Sequence, residues 1–290
     1  MKKLCILIVN YNSTRDTLNL IQNLKDSSYK NSDVLIFDNN SNEDLRKLEE
    51  CGEVILIKSN KNFGLAGGVN KALEYIESKY VLLLNPDIEV DKEAVKELLE
   101  LIEKDRKIAF VGGAIYNFND KEKVNAFGGR INLFTGIGNA LKDEKEIREL
   151  NYGEYTDACV MIFNKEIFQN LGGYDEKYFL YLETEDLQFK AMEKGYKIFI
   201  NPRAKVWHKL YGSSGGKKNR RVVYFLTRNR FIFMKKHVSS LRYCLFLLIS
   251  LFFILPMQFC LFIKRGHFDL MSAFFIGVYE GIRQKHEKLI

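Results

Sequence analysis

Along the first hundred residues, apolar runs of strand length alternate with polar segments whose apolar positions recur at helical spacing. Leu4 to Val9 reads as a buried strand, and Thr14 to Lys25, with Leu18, Ile21 and Leu24 on one face, as a helix. Val34 to Phe37 predicts a second strand closed by Asp38-Asn39-Asn40-Ser41, Glu43 to Glu50 a helix, and Val54 to Ile57 a third strand. A Gly-rich turn, Asn62-Phe63-Gly64-Leu65-Ala66-Gly67-Gly68, leads into a helix through Tyr75. Tyr80 to Leu84 is the fourth strand, ending in Asn85-Pro86-Asp87, and Lys92 to Lys104 the next helix. This alternation predicts an α/β fold, a mostly parallel sheet flanked by helices, with ligands at the carboxyl ends of the strands.

The pattern then changes. From Ile108 to Asn139, short apolar pieces are broken by Gly112-Gly113, Gly128-Gly129 and Gly136, as in antiparallel strands and loops. Asp157 to Phe163, Lys197 to Ile200 and Ala204 to Trp207 read as strands, and Lys165 to Leu171 and Glu185 to Lys194 as helices. Beyond His208 lie a Gly/Ser-rich link (Gly212 to Gly216), a basic stretch (Lys217 to Lys236), an apolar run (Tyr243 to Ile263) and a last segment, Asp269 to Gln284. The boundary is placed between residues 215 and 216, separating a body (1–215) from a basic and hydrophobic helical region (216–290).

Charge sharpens that division. The 290 residues carry a formal +7, but the last 80 hold 14 Lys and Arg against 3 Asp and Glu, so this tail is +11 and the remainder −4. A polyanion is the expected partner of the tail. Its basic residues flank an apolar run instead of forming a stripe with interleaved aromatics, so lipid is expected and nucleic acid is not. The apolar run is long enough to cross roughly 30 Å of hydrocarbon. Arg228, Arg230, Lys235, Lys236 and Arg242 precede it, Lys264-Arg265 follow it, and Pro256 lies inside. Basic residues on both flanks favour a bent or in-plane element on the inner leaflet over a single crossing, with a buried helix of a soluble protein as the remaining structural reading. Leu4 to Val9 is too short for a signal peptide, so the bulk of the chain is expected in the cytoplasm. Five cysteines without a CxxC fit reduced thiols.

Candidate chemistry gathers at predicted strand ends. Asp38 can accept hydrogen bonds from a ribose or base, or serve as a cap or Asx-turn. The Gly turn and Asn70 stand where backbone can approach a phosphate, although a tight turn explains the glycines as well. Asp87 at a strand tip suits a hard cation, or a cap after a strand-stopping Pro86. Glu183, Glu185 and Asp186 follow the aromatic run Tyr178-Phe179-Leu180-Tyr181; crowded carboxylates near apolar surroundings have raised pKa values, as a general base requires, while acids in a first helical turn also complement the dipole. His208, after Val206-Trp207, is a candidate metal ligand or a hydrogen-bonded surface side chain.

In this order, the clusters resemble those of family 2 glycosyltransferases of the GT-A fold, most closely a rhamnosyltransferase-like branch. The resemblance rests on Ile6-Leu7-Ile8-Val9-Asn10-Tyr11-Asn12, Asp38-Asn39-Asn40-Ser41, Asn62 to Asn70, Leu84-Asn85-Pro86-Asp87, Gly172-Gly173-Tyr174-Asp175-Glu176, Glu183 to Leu187 and Val206-Trp207-His208. It implies a GT-A catalytic domain over 1–215 and an inverting transfer of a sugar, rhamnose first, from a nucleotide-diphosphate donor. The acceptor would be a hydroxyl of a lipid-linked or polysaccharide glycan in cell-surface synthesis. Asn10, Asp38, Asn62, Gly64, Gly67, Asn70, Asn85 and Asp87 would form the donor site, and Asp87 with His208 would hold Mg²⁺ or Mn²⁺. Asn85 departs from the first acid of a full DxD motif. Relatives often read Glu-Asp-x-Asp-Leu where this chain has Thr184 at the second acid; read as Thr184-Glu185-Asp186, the segment resembles the TED motif of processive members. The base is therefore sought in the order Asp186, Glu185, Glu183. A homo-oligomer is a further expected partner state. Two other classes fit the residues less well: a nucleotidyltransferase, disfavoured because Asn10-Tyr11-Asn12-Ser13-Thr14 replaces a Gly-rich basic loop after the first strand, and a non-catalytic membrane- or nucleic-acid-binding protein.

Overall fold

The computed structural model describes residues 2–52, 54–209 and 219–284. The expected domain boundary and the Gly/Ser-rich link fall outside the described residues. The N-terminal half alternates β1 (Leu4–Asn10), α1 (Thr14–Leu24), β2 (Ser32–Asp38), α2 (Arg46–Glu49), β3 (Ile55–Lys58), α3 (Gly64–Ala72), β4 (Tyr80–Leu84), β5 (Ile88–Val90) and α4 (Ala94–Ile102). Then come β6 (Ile108–Asn117), β7 (Val124–Ala126), β8 (Gly129–Ile131), β9 (Gly138–Ala140), β10 (Arg148–Glu149), β11 (Glu154–Tyr155), β12 (Val160–Asn164), α5 (Lys165–Asn170), α6 (Glu183–Glu193) and β13 (Lys197–His208).

A ten-stranded sheet has the order β10-β13-β6-β12-β4-β1-β2-β3, with β5 on β13 and β7 on β6. The neighbours β4, β1, β2 and β3 are parallel, as are β6 and β13; β12 runs antiparallel between β4 and β6. The near-continuous apolar runs of β1 and β4 are explained by burial on both faces of the sheet. On one face, Leu7, Leu83 and Phe163 pack with Val69, Phe168 and Leu187; on the other, Ile6, Leu82 and Ile162 pack with Leu20, Leu98 and Ile102.

Two sequence expectations change. The Gly112-Gly113 break belongs to the interior of the ten-residue strand β6, where a Cβ on Gly112 would lie 2.5 Å from Thr156 Cβ and one on Gly113 2.5 Å from the Ala204 carbonyl oxygen. These glycines permit close approach within the sheet, not a turn. The two short strands expected over 197–207 are one strand, β13, whose register shifts between Asn201 and Lys205, across Pro202, which has no N–H to give to a ladder.

The C-terminal region comprises α7 (Arg220–His237), α8 (Ser240–Ile249), a π-helical turn (Ser250–Ile254), α9 (Leu255–Arg265) and α10 (Phe268–Arg283). It shares an apolar cluster with the body, in which Ile131, Tyr178 and Phe189 meet Phe231, Phe233, Phe246 and Phe274. From α8 to α9 the chain is one 26-residue helix, long and apolar enough to cross a membrane. The wide turn sits just before Pro256, as a residue without an N–H requires. Its buried positions, Phe246, Ser250, Ile254 and Phe262, form one stripe, while Leu241, Phe252 and Phe253 are 73%, 64% and 70% exposed. Phe246 meets Phe231 of α7 edge-on at 5.0 Å, and Phe262 meets Phe274 of α10 edge-on at 5.6 Å, so the helix rests on the protein towards both ends.

Phe168, 1% exposed and ringed by Phe163 at 4.5 Å and Tyr174 at 4.9 Å, ties α5 to the sheet. Phe168→Ala is expected to cost about 3–5 kcal/mol, measured as a lower urea midpoint with an unchanged slope.

Candidate active site

The strand ends and the start of α6 surround a cavity of about 480 Å³. The tip of β4 contributes Asn85 and Asp87, the end of β13 contributes His208, and the Gly turn contributes Asn62 and Gly64. Across it lie the loop Phe179 to Leu182 and the first turn of α6 with Glu183, Thr184 and Glu185.

Asp87 is 3% exposed, and its Oδ1 lies 3.1 Å from His208 Nε2. Two neighbouring ligands of an octahedral ion at about 2.1 Å stand roughly 3 Å apart, so the separation of this oxygen and nitrogen suits a shared divalent cation, which would replace the hydrogen bond between them. Among the described residues no group of three or more His, Cys, Asp or Glu side chains is arranged to hold a metal. A cation held by this pair would take its remaining ligands from a bound molecule's oxygens and from water.

The Gly turn fits its place for a steric reason. Gly64 has φ +70°, and a Cβ there would lie 2.1 Å from the Phe179 carbonyl oxygen, so no other residue brings α3 this close to the opposite wall. Asn62 Oδ1 accepts from Gly64 N at 2.8 Å. Asn39 braces the same turn, donating to the Gly64 carbonyl at 2.9 Å and accepting from Phe63 N at 2.9 Å.

Several residues expected in the donor site lie behind the cavity surface, outside its lining. Asn10, wholly buried, donates to Asp38 at 2.8 Å and accepts from Thr17 Oγ1 at 2.8 Å. Asp38 also accepts from the Ser41 hydroxyl at 2.6 Å and amide at 3.0 Å. Together they join the ends of β1 and β2. Gly67 is packed within α3. Asn70 clasps Tyr174, accepting from its N–H at 3.0 Å and donating to its carbonyl at 2.9 Å, and so ties α3 to the Gly172 to Glu176 motif.

The acidic motif divides between two surroundings. Asp186, first in the expected order for the base, is fully buried and turned away from the cavity towards α7. Its carboxylate meets His237 Nε2 at 2.7 Å, Lys236 Nζ at 2.8 Å, Lys190 Nζ at 3.0 Å and the Tyr178 hydroxyl at 3.1 Å. Burial opposes ionisation, but His237, Lys236 and Lys190 overcome it and hold Asp186 well below the ordinary carboxylate range. A carboxylate so stabilised is a poor proton acceptor. Glu183 and Glu185 face the cavity instead. Among the described residues, Glu183 Oε2 is buried without a hydrogen-bond partner. Burial, with Asp157 and Asp186 nearby, pushes Glu183 up to about 7, and burial followed by the charge of Glu183 pushes Glu185 up to about 8. Thr184 donates to the Tyr174 hydroxyl at 3.0 Å. Sequence reading did not single out Asp157, Tyr11, Arg221 or Phe225, which also line the cavity; Arg221 and Phe225 come from α7, far along the chain, and no local motif marks them.

Residues 5–172 match the family model "Glycosyl transferase family 2". The chain belongs to glycosyl transferase family 2. It is 25% identical over 294 residues to the low-salt glycan biosynthesis hexosyltransferase Agl10 of Haloferax volcanii, covering 98% of this chain and 92% of the relative. It is 23% identical over 230 residues to the poly-beta-1,6-N-acetyl-D-glucosamine synthase of Staphylococcus aureus, covering 77% of this chain and about half (53%) of that relative. Among solved structures it resembles S. aureus TarS 1–349 in complex with UDP-GlcNAc (TM-score 0.64, 15% identity, 97% of this chain and 81% of that one). It also resembles the mannosyltransferase PcManGT of Pyrobaculum calidifontis in complex with GDP-Man and Mn²⁺ (TM-score 0.61, 14% identity, 98% and 88%). These likenesses bear out the GT-A fold, and family 2 membership makes the protein a glycosyltransferase.

The raised carboxyls make a prediction about stability. A carboxyl whose folded pKa exceeds its unfolded value binds more protons in the native state, so stability falls as pH rises from about 4.3 through the folded value. Glu185→Gln is therefore expected to melt above the wild type at pH 8.5 and to lose that advantage by pH 4, read from paired thermal melts.

Proposed function

We propose that the protein is an inverting hexosyltransferase that moves a sugar from a nucleotide-diphosphate donor to a glycan hydroxyl. The supporting observation is that one cavity presents the Asp87–His208 pair on one wall and two carboxyls with raised pKa values on the other. Glu185 is the proposed base. Half-buried and facing the cavity, it takes the proton of the acceptor hydroxyl while that oxygen bonds to the anomeric carbon. The carbon–oxygen bond to the diphosphate breaks on the opposite face, and the electron pair leaves with the nucleoside diphosphate. Asp87 and His208 would hold Mg²⁺ or Mn²⁺, which when bound offsets the charge of the leaving diphosphate. Glu183, which gives up its proton at a lower pH than Glu185, then places negative charge beside it and so supports its basicity.

A lipid-linked or growing cell-surface glycan is the proposed acceptor, in keeping with the glycan-building relatives. The long helix is proposed to lie in the plane of the cytoplasmic leaflet. It rests on the protein towards both ends, with Arg242 near one end and Lys264 and Arg265 at the other, which suits an anionic interface better than a crossing. Rhamnose from dTDP-rhamnose is the finer donor reading from the resemblance; UDP-GlcNAc and GDP-mannose are the alternatives the structural neighbours supply.

A thermal-shift panel of these nucleotide sugars and their nucleoside diphosphates, with and without Mn²⁺, is expected to show metal-dependent stabilisation by one nucleotide that Asp87→Ala abolishes. No response to any would overturn the donor site. With the responding donor, Glu185→Gln should keep binding and lose about 10²- to 10⁴-fold in turnover. Wild-type turnover should fall as pH drops below about 8. For the membrane face, vesicles containing phosphatidylglycerol should pellet the protein, and Phe252→Glu with Phe253→Glu should release it.

A further inference from the structure

The loop that leads into α6 is held in a conformation its residues do not favour. Phe179, Tyr181 and Leu182 have φ of +62°, +70° and +68°, in the left-handed region that crowds a Cβ against the following carbonyl. Such residues persist where their surroundings over-determine them. Here the constraint comes from α7. Asn229, wholly buried, has its Nδ2 3.0, 2.8 and 2.8 Å from the carbonyl oxygens of Tyr178, Leu180 and Tyr181. Arg228, 1% exposed, donates from Nη2 to the carbonyls of Lys177 at 2.6 Å and Tyr178 at 3.0 Å. Its Nε donates to Asn229 Oδ1 at 2.9 Å; that bond turns the amide so that its N–H groups face the loop. The guanidinium is fixed in turn over the rings of Phe225 and Tyr224, 5.0 and 5.4 Å from their centroids.

The loop has two consequences for the site. Its residues Phe179 to Leu182 form a wall of the cavity, and Leu182 is the residue from which α6 starts, followed at once by Glu183 and Glu185. The same helix α7 grips α6 a second time through Lys236 and His237 on Asp186. The orientation of the two cavity carboxyls is thus determined from both sides by one distant helix.

We infer that Arg228 and Asn229 are positioning residues for the transfer: they hold residues 177–182 in the left-handed path that aims Glu183 and Glu185 into the cavity. This rests on the transferase reading of that cavity. Neither residue lines it, so neither is called catalytic. Donor binding, built by Asp87, His208 and the Gly turn, should survive the loss of the latch, while base positioning should not.

The test uses the full chain with Asn229→Asp and Arg228→Lys. The first is isosteric and turns a donor into an acceptor against three carbonyls; the second keeps the charge but not the planar fork. Three readouts are taken: Mn²⁺-dependent binding of the nucleoside diphosphate that stabilises the wild type, release of that diphosphate from its nucleotide sugar, and hydrogen–deuterium exchange of residues 177–186. Expected are nucleotide affinity within about threefold, turnover down by about 10²-fold for Asn229→Asp, and faster exchange confined to that segment. The pH at which turnover is half-maximal should also move down towards the ordinary carboxylate range in Asn229→Asp, because a displaced loop lets water reach Glu185. Equal losses of binding and turnover, or unchanged exchange over 177–186 in both variants, would overturn the inference. If the wild type itself binds no nucleotide, the donor reading fails, and the exchange data still decide whether the latch exists.

Discussion

Three acids in four residues share one helical turn, and the site depends on their being made different. Asp186 is turned towards α7, while Glu183 and Glu185, at the N-terminal end of α6 beside the Phe179 to Leu182 wall, line the cavity. Lys190, Lys236 and His237 all go to Asp186. The two glutamates are left in a poorly hydrated wall, where the neutral form is favoured and the pKa rises. One carboxylate becomes a structural anchor, and the other two become groups that exchange protons near neutrality.

The rest of the fold can be understood as support for that difference. The parallel strands β1, β2 and β4 end side by side, and a network of buried Asn10 and Asp38 with Ser41 joins two of those ends beneath the cavity. Gly64 and Asn39 then bring the start of α3 against the Phe179 wall. Opposite, β4 and β13 deliver Asp87 and His208 to one point although 121 residues separate them in the chain. On the proposed reading, a mildly acidic body would bind an anionic donor here because the attraction is local, from a bound cation, and does not need a positive net charge.

Much of this architecture was legible from residue patterns, because parallel central strands are apolar on both faces and helices carry apolar stripes. The strand tips bearing Asp87 and His208 were legible for the same reason. What could not be read was orientation. Adjacent acids have similar local signatures, and only the position of α7, set by packing of Phe231 and Phe233 against Phe189 and Tyr178, shows that Asp186 is the one drawn into ion pairs among the described residues. Asn10, Asp38 and Asn70 carry polar side chains suited to ligands, but each is occupied by backbone or side-chain partners behind the cavity. The Gly112-Gly113 pair looked like a break because sequence does not reveal how near Thr156 and Ala204 come to a strand.

The basic tail takes on a second meaning in this light. Its first helix braces the walls of the site from behind through Lys236, His237, Arg228 and Asn229, while the long apolar helix beyond it leaves most of its surface uncovered, so the region that would meet a membrane also holds the acidic helix in place. The central claim is that Glu183 and Glu185 hold protons near neutrality. Carbon-13 NMR titration of side-chain carboxyls in glutamate-labelled protein, with Glu183→Gln and Glu185→Gln used to assign the signals, tests it most directly. The account predicts that these two carboxyls titrate between about pH 7 and 8, well above the other glutamates; titration of both near the unperturbed value of about 4.3 would contradict it.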